Sequence, residues 1–479
     1  MKIIIATVLA TICLTNKAIA QNYIDTVYSI ASESNIVYGS AINFAGQTAS
    51  LQMDISRPTN DIPPGCGRPL VLIVHGGAWI EGNKNESYIP ALRQDFAKRG
   101  YVAVAINYRL GYFQTNVSKN CNIPNWNCMN VADSAEWSRA LYRGIQDAHG
   151  AIRYMAMNES AYNIDLSNVY VVGESAGAFI AMGLGFMDDD SEKPTDCGAI
   201  SSVLAPHQDY YTPCVQNSQF DIPIAQMNLT RPDLGPIKGT TNPTNLPYFI
   251  RGVGAFYGGM YKDLFTTKNS VYTPVLYMFH QPNDLIVPFG YNNLLNGFNA
   301  CAVAANCLNI PERKTLYGSG GINNLVDTLN IPNSNKPQIL FQTTNNNSDC
   351  LGQVVNPSTG GHQLDSYWTR NLALATFFAP NIGANDCVGL GLIEQALTLN
   401  ITVFPNPNNG SFTVKLSETL VGDPRMEIID VSGRVHYSSH IQLDGDAFTW
   451  HDNLNAGVYF LRLADLYSGR VFIHKLIVN

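Results

Sequence analysis

The 479-residue chain sets 29 Lys and Arg against 37 Asp and Glu, for a formal net charge of -8, and only 14% of its residues are charged. That acidic balance, with no basic patch, excludes a nucleic-acid partner. The length leaves room for more than one domain, and no spacing among the ten cysteines resembles a zinc site, so neither metal nor cofactor is expected.

The chain opens with Met1-Lys2, continues as a short apolar run, and reaches Ala18-Ile19-Ala20. A charged start, an apolar core and a small-residue site read as an export signal over residues 1–20, cleaved after Ala20. The run is too short to anchor in a membrane. Cys13 lacks the small residues that precede a lipoprotein cysteine. Cleavage removes Lys2 and Lys17 but no acid, so the charge falls from -8 to -10. An exported chain is expected to carry disulfides. Cys121 with Cys128 and Cys301 with Cys307 are the closest pairs, Cys197 with Cys214 and Cys350 with Cys387 are further ones, and Cys66 is left over.

Residues 50–55 alternate as an early strand. Residues 69–74 form an apolar strand that runs into His75-Gly76-Gly77-Ala78-Trp79. A helix ends at Gly100, and residues 101–109 make the next strand. Helical spacing covers 136–157 and includes Asp147, expected to pack and to pair with a nearby basic side chain. Strands alternating with helices imply an α/β class, a mostly parallel sheet covered on both faces.

The densest signal is residues 169–178, Val-Tyr-Val-Val-Gly-Glu-Ser-Ala-Gly-Ala, followed by a helix-like run. Strand, sharp turn and helix in that order hold the central serine in a strained conformation with its hydroxyl exposed. Ser175 is therefore a candidate nucleophile, and the helix dipole and the Ala176 amide favour negative charge beside it. Downstream, an apolar strand at 273–279 leads to a loop carrying Asp284. A β-type stretch at 338–343 precedes Gly360-Gly361-His362, with a helix-like segment after it. The order Ser175, Asp284, His362 is the reverse of that in chymotrypsin-like chains.

Together these segments resemble the α/β-hydrolase superfamily, and the likeness spans roughly residues 45–380. The Gly-Glu-Ser-Ala-Gly turn is similar to that of carboxylesterases, and the His75–Ala78 loop to the His-Gly-Gly-Gly loop of lipases and esterases. Ala78 stands where the third glycine is usual, which alters no backbone donor. Gln281 likewise replaces a glycine in the acid loop. The resemblance implies Ser175 as nucleophile, His362 as base, Asp284 as acid, and an oxyanion hole made by the amides of Gly77, Ala78 and Ala176. His75 and His280 are expected to be structural or orienting.

Three stretches, 112–135, 186–250 and 299–336, do not fit the minimal fold. Loops this long are often functional, and the first two are expected to wall the substrate pocket, with Trp126, Tyr210 and Tyr211 available for stacking. The domain reading is signal 1–20, hydrolase domain 21–380, linker 381–400, and a β-sandwich over 401–479. That last segment, with Val-Phe-Pro-Asn-Pro-Asn-Asn-Gly and Leu-Asn-Ala-Gly-Val-Tyr, closes on Lys-Leu-Ile-Val-Asn. It resembles the C-terminal sorting domain of the type IX secretion system of Bacteroidetes, which implies export to the cell surface or the medium. A carbohydrate-binding sandwich is the alternative, with Trp450 as its platform. The expected activity is hydrolysis of carboxylic esters, including acyl or feruloyl esters on polysaccharides. A prolyl-oligopeptidase-like peptidase and an inactive hydrolase-fold binding protein are the other readings.

Overall fold

The computed structural model describes residues 23–59, 61, 63–113, 131–202, 224–260, 273–297, 313–328, 336–344, 361–383, 401–416, 424–430, 435–441, 446–451, 454–465 and 470–479. The export signal, most of the linker, Trp126, Tyr210 and Tyr211 lie outside them. So do Cys121, Cys128, Cys214, Cys301, Cys307, Cys350 and Cys387.

Eight strands make the main sheet: β1 (Ser29–Ile42), β2 (Thr48–Thr59), β3 (Arg68–Val74), β4 (Val102–Ile106), β5 (Ile164–Glu174), β6 (Ile250–Phe256), β7 (Val275–Phe279) and β8 (Ile339–Gln342). Their order across the sheet is β1-β2-β4-β3-β5-β6-β7-β8. The first two strands form an antiparallel hairpin, β2 runs antiparallel to β4, and every later pairing is parallel. Both β3 and β4 are buried at every residue, which is why they read as unbroken apolar runs rather than alternations. Strand β1 is exposed or half-buried at every residue but one and mixes polar with apolar side chains. It is an edge strand, and the sequence gives it no comparable apolar signature.

Among the described residues, the longer helices of this unit are α1 (Ile89–Lys98), α2 (Ser134–Met157), α3 (Ala176–Phe186), α4 (Ser319–Thr328) and α5 (Tyr367–Phe378). Alternate residues of β5 feed opposite cores. Val169 and Val171 pack with Trp137, Ile145, Phe179 and Ile180 from α2 and α3. Tyr170 and Val172 pack with Leu92, Phe96, Leu374 and Phe378 from α1 and α5. The sheet is thus covered on both faces, as an α/β alternation requires.

The outer face of α2 explains how a stretch without periodicity stays ordered. Arg139 donates to the carbonyls of Asp196, Gly198 and Pro232 at 3.0, 2.8 and 2.5 Å. Gln146 donates to those of Leu234 and Pro236, Tyr142 to that of Gly235, and Arg153 to those of Thr241 and Asn242. The helix therefore holds the described parts of 186–250 largely by their backbone, and adds side-chain contacts from Glu136 to Arg231, Ser138 to Asp196 and His149 to Tyr248. Asp147, fully buried, pairs with the Arg109 guanidinium at 2.8 Å and accepts the Arg109 amide at 2.7 Å.

One disulfide expectation is overturned. Cys197 is a buried free thiol whose Sγ lies 3.6 Å from the Ser138 carbonyl. It is packed against α2, and burial pushes the thiol up to about 12, which makes it inert as well as unbridged.

The C-terminal unit has two antiparallel sheets. One holds β9 (Ile401–Phe404), β10 (Ser411–Leu416) and β13 (Ala447–His451). The other holds β11 (Arg425–Asp430), β12 (Val435–His440), β14 (Gly457–Asp465) and β15 (Arg470–Val478). Val414, Ile428, Leu461 and Leu476 share one core. Trp450 belongs to that core, with Tyr437 at 4.1 Å and Phe412 at 6.3 Å between ring centres. It is not a platform for an external ligand.

Candidate active site

Ser175 sits at the junction of β5 and α3 with φ 50° and ψ -121°, a conformation that a side chain with a Cβ adopts only under constraint. The constraint is close backbone packing. A Cβ on Gly173 would lie 2.1 Å from the Gly177 carbonyl oxygen, and one on Gly177 would lie 2.2 Å from that of Val74. Glycine at both flanks lets β5, the turn and the end of β3 touch. The Ser175 amide is tied to the Phe256 carbonyl at 3.0 Å.

The structure brings together the three side chains that the sequence places far apart. Ser175 Oγ lies 2.8 Å from His362 Nε2, and His362 Nδ1 lies 2.7 Å from Asp284 Oδ2. A carboxylate only accepts, so His362 donates from Nδ1 and Nε2 is left to accept the serine proton. Gly361 makes the approach possible: a Cβ there would stand 2.5 Å from the Asn283 carbonyl oxygen, in the loop that carries the acid.

Asp284 is surrounded by donors. Its Oδ1 accepts the amides of Ile286 and Val287 at 2.8 and 3.0 Å. Its Oδ2 accepts from His362 and from His280 Nε2 at 3.0 Å. Burial pushes the carboxyl pKa up, but the His362 charge and the hydrogen bonds from His280 and His362 outweigh it and hold the pKa below the usual carboxylate range. His280 is itself oriented, because its Nδ1 accepts the Ser319 amide at 3.2 Å, which leaves the ring proton on Nε2.

The loop after β3 lies against the nucleophile: a Cβ on Gly76 would be 3.2 Å from Ser175 Cβ. Gly77, Ala78 and Trp79 follow with φ of 102°, 51° and 59°. The Gly77 carbonyl accepts the amides of Ile80 and Glu81. Trp79 pins the loop to the domain, edge-on to Trp137 and Phe179 at 5.3 Å each. Among the described residues, the amides of Gly77, Ala78 and Ala176 have no protein acceptor. His75 does not join the chemistry. It is buried, stacked on Tyr108 at 4.4 Å and bonded to the Gly76 carbonyl, and burial lowers its pKa to about 4, so it is neutral.

Sequence reasoning passed over a second polar cluster. Glu174, next to the serine, is buried and accepts from Tyr257 Oη at 2.7 Å and Ser87 Oγ at 3.1 Å. Burial raises its pKa. The Tyr257 ring meets the His362 ring edge-on at 4.8 Å. The available signal was a lone acid ending an apolar strand, which demands buried partners.

The BD-FAE family model matches residues 53–122 and 125–216, covering the His75–Ala78 loop and Ser175 but neither Asp284 nor His362. The model described as "Secretion system C-terminal sorting domain" matches residues 402–479. Human carboxylesterase 3 is 28% identical over 33% of this chain and 24% of its own length. A probable isoprenylcysteine alpha-carbonyl methylesterase of Oryza sativa subsp. japonica is 32% identical over 24% of this chain and 20% of its own. The chain thus spans about a quarter or less of these curated relatives. Among solved structures, a truncated carbohydrate esterase from gut microbiota aligns over 74% of this chain and 98% of its own, at 15% identity and a TM-score of 0.39.

Proposed function

Because the chain is an α/β-hydrolase of the carboxylesterase-like kind, ending in a type IX secretion sorting domain that sends it to the cell surface or the medium, we propose that it hydrolyses carboxylic esters through an acyl-enzyme on Ser175. Ser175 Oγ attacks the ester carbonyl carbon and gives its proton to His362 Nε2. The amides of Gly77, Ala78 and Ala176 take the oxyanion, each such donor being worth about 3 kcal/mol. As the tetrahedral intermediate collapses, the carbon–oxygen bond to the alcohol breaks and His362 returns the proton to the leaving oxygen. Water, deprotonated by His362, then attacks the acyl-enzyme, and its collapse frees the acid and Ser175. Asp284 holds the imidazole tautomer and balances the imidazolium throughout.

The observation that carries this reading is the unbroken chain of hydrogen bonds from Ser175 through His362 to Asp284, at a turn whose backbone strain exposes the hydroxyl. Residues 21–380 would form the catalytic domain, and 401–479, joined by the linker 381–400, the address read by the secretion machinery. The substrates we propose are acyl or feruloyl esters on polysaccharides, in keeping with export and with the polar, Asn- and Thr-rich insertions. The test is Ser175→Ala assayed on p-nitrophenyl esters of increasing chain length. Loss on the order of 10⁴-fold with the fold retained is expected, and near-normal turnover in a folded variant defeats the assignment.

A further inference from the structure

Three aromatic side chains meet at the start of α5. The rings of Tyr88 and Tyr367 stack at 5.3 Å and 16°, and Trp368 meets Tyr367 edge-on at 5.0 Å and 76°. Trp368 is 67% exposed, the most exposed large apolar side chain among the described residues. The fold does not use it: α5 buries Asn371, Leu374, Ala375 and Phe378 instead. Tyr367 is held by its hydroxyl, which donates to Asp95 Oδ2 at 2.8 Å.

Their placement ties them to the chemistry. Tyr88 directly follows Ser87, whose hydroxyl binds Glu174, the residue before Ser175. Tyr367 and Trp368 begin the helix that follows the His362 loop. The chain neighbours of the rings are polar, with exposed Asn85 and Glu86 before Tyr88 and exposed Asp365 and Thr369 flanking Tyr367 and Trp368. A lipid chain is matched by a broad apolar patch, and the core of a protein interface is depleted in charge. A fixed aromatic face flanked by exposed hydrogen-bonding groups fits a ligand with an apolar face and a hydroxylated edge.

We propose that Tyr88, Tyr367 and Trp368 form a platform on which a pyranose ring of a polysaccharide ester stacks, delivering the ester to Ser175. The sugar's C–H face lies on the Trp368 ring, and its hydroxyls meet these polar neighbours. This rests on the esterase reading and names the part of the substrate held outside the reacting bond.

The probe is a set of acetylated xylo-oligosaccharides, bound to the full chain carrying Ser175→Ala and followed by calorimetry. Adding Trp368→Ala should weaken the Kd about 5- to 10-fold, the scale of one good aromatic contact, while Trp368→Tyr should restore most of it. In the chain with Ser175 intact, Trp368→Ala should lower kcat/KM for the oligosaccharide relative to p-nitrophenyl acetate by the same factor. Should the alanine variant fail to fold, Trp368→Gln, polar at a solvent-facing helix position, gives the same comparison. An unchanged Kd and ratio overturns the proposal. So does an equal loss on both esters, or binding to lipid vesicles or to a second copy of the chain without binding to the oligosaccharide. If Ser175→Ala keeps turning over ester, the nucleophile assignment fails while the Trp368 comparison of Kd is still read.

Discussion

Replacing His280 by alanine isolates what the second imidazole on Asp284 contributes. The side chain is fully buried and donates to Asp284 Oδ2 at 3.0 Å, one of the four hydrogen bonds the carboxylate accepts. A hydrogen bond to a charged group is worth about 1.5–3 kcal/mol. Losing it should make the buried carboxylate more basic. A more basic carboxylate is neutralised at higher pH, so the activity that depends on its charge should be lost earlier as the pH falls, and the acid limb of kcat/KM should move to higher pH. The loosened carboxylate should also cost kcat about 10-fold through misalignment of His362. Stability follows the same sign. A depressed folded-state carboxyl pKa contributes stability above the unfolded-state pKa that is lost as pH falls through the folded one, so the variant should be less stable at neutral pH and converge on the parent in acid. The assay is the pH profile of p-nitrophenyl acetate hydrolysis, with His280→Gln, which keeps a donor, as comparison. A stable His280→Ala protein whose acid limb and kcat match the parent within twofold refutes the reasoning.

Arg109→Leu should destabilise the domain by about 3–5 kcal/mol in urea unfolding, because it strands the fully buried Asp147 carboxylate; a loss below 1 kcal/mol would mean that the pair is solvated. Glu174→Gln keeps an oxygen to accept from Tyr257 and Ser87. Burial raises the Glu174 pKa, so the parent loses stability as pH rises through it, and the Tm of the variant minus that of the parent should grow between pH 4 and pH 8; a shrinking difference contradicts the shift. Gly177→Ala should remove activity and destabilise, since the added Cβ falls 2.2 Å from the Val74 carbonyl oxygen, and a fully active alanine variant would mean that β3 and the turn separate freely. A chain ending at residue 395 should keep its esterase rate but stay inside a type IX-competent host; normal secretion of that chain would remove the role assigned to 401–479.

What the sequence makes legible follows from how each element is constrained. Strands β3 and β4 are buried on both faces, so their apolar runs mark them without ambiguity. Gly173 and Gly177 are visible because backbone crowding at the Ser175 turn admits no other residue. The sequence could name Asp284 and His362 only through their order behind strands, yet the fold sets them 2.7 Å apart, because adjacent parallel strands β7 and β8 deliver successive loops to the same sheet end. The partners of Glu174 were not legible. Ser87 and Tyr257 stand 87 and 83 residues from it, on the separate connections that follow β3 and β6, and no local pattern records a buried carboxylate's need for donors from elsewhere. The same limit applies to the described parts of 186–250. Their backbone is held from α2, by Arg139, Gln146 and Arg153, which bind carbonyls that every sequence possesses. The rest of their position depends on long-range side-chain pairs, Arg231 with Glu136 and Asn242 with the Tyr38 and Gly150 carbonyls, which no local pattern in the sequence announces.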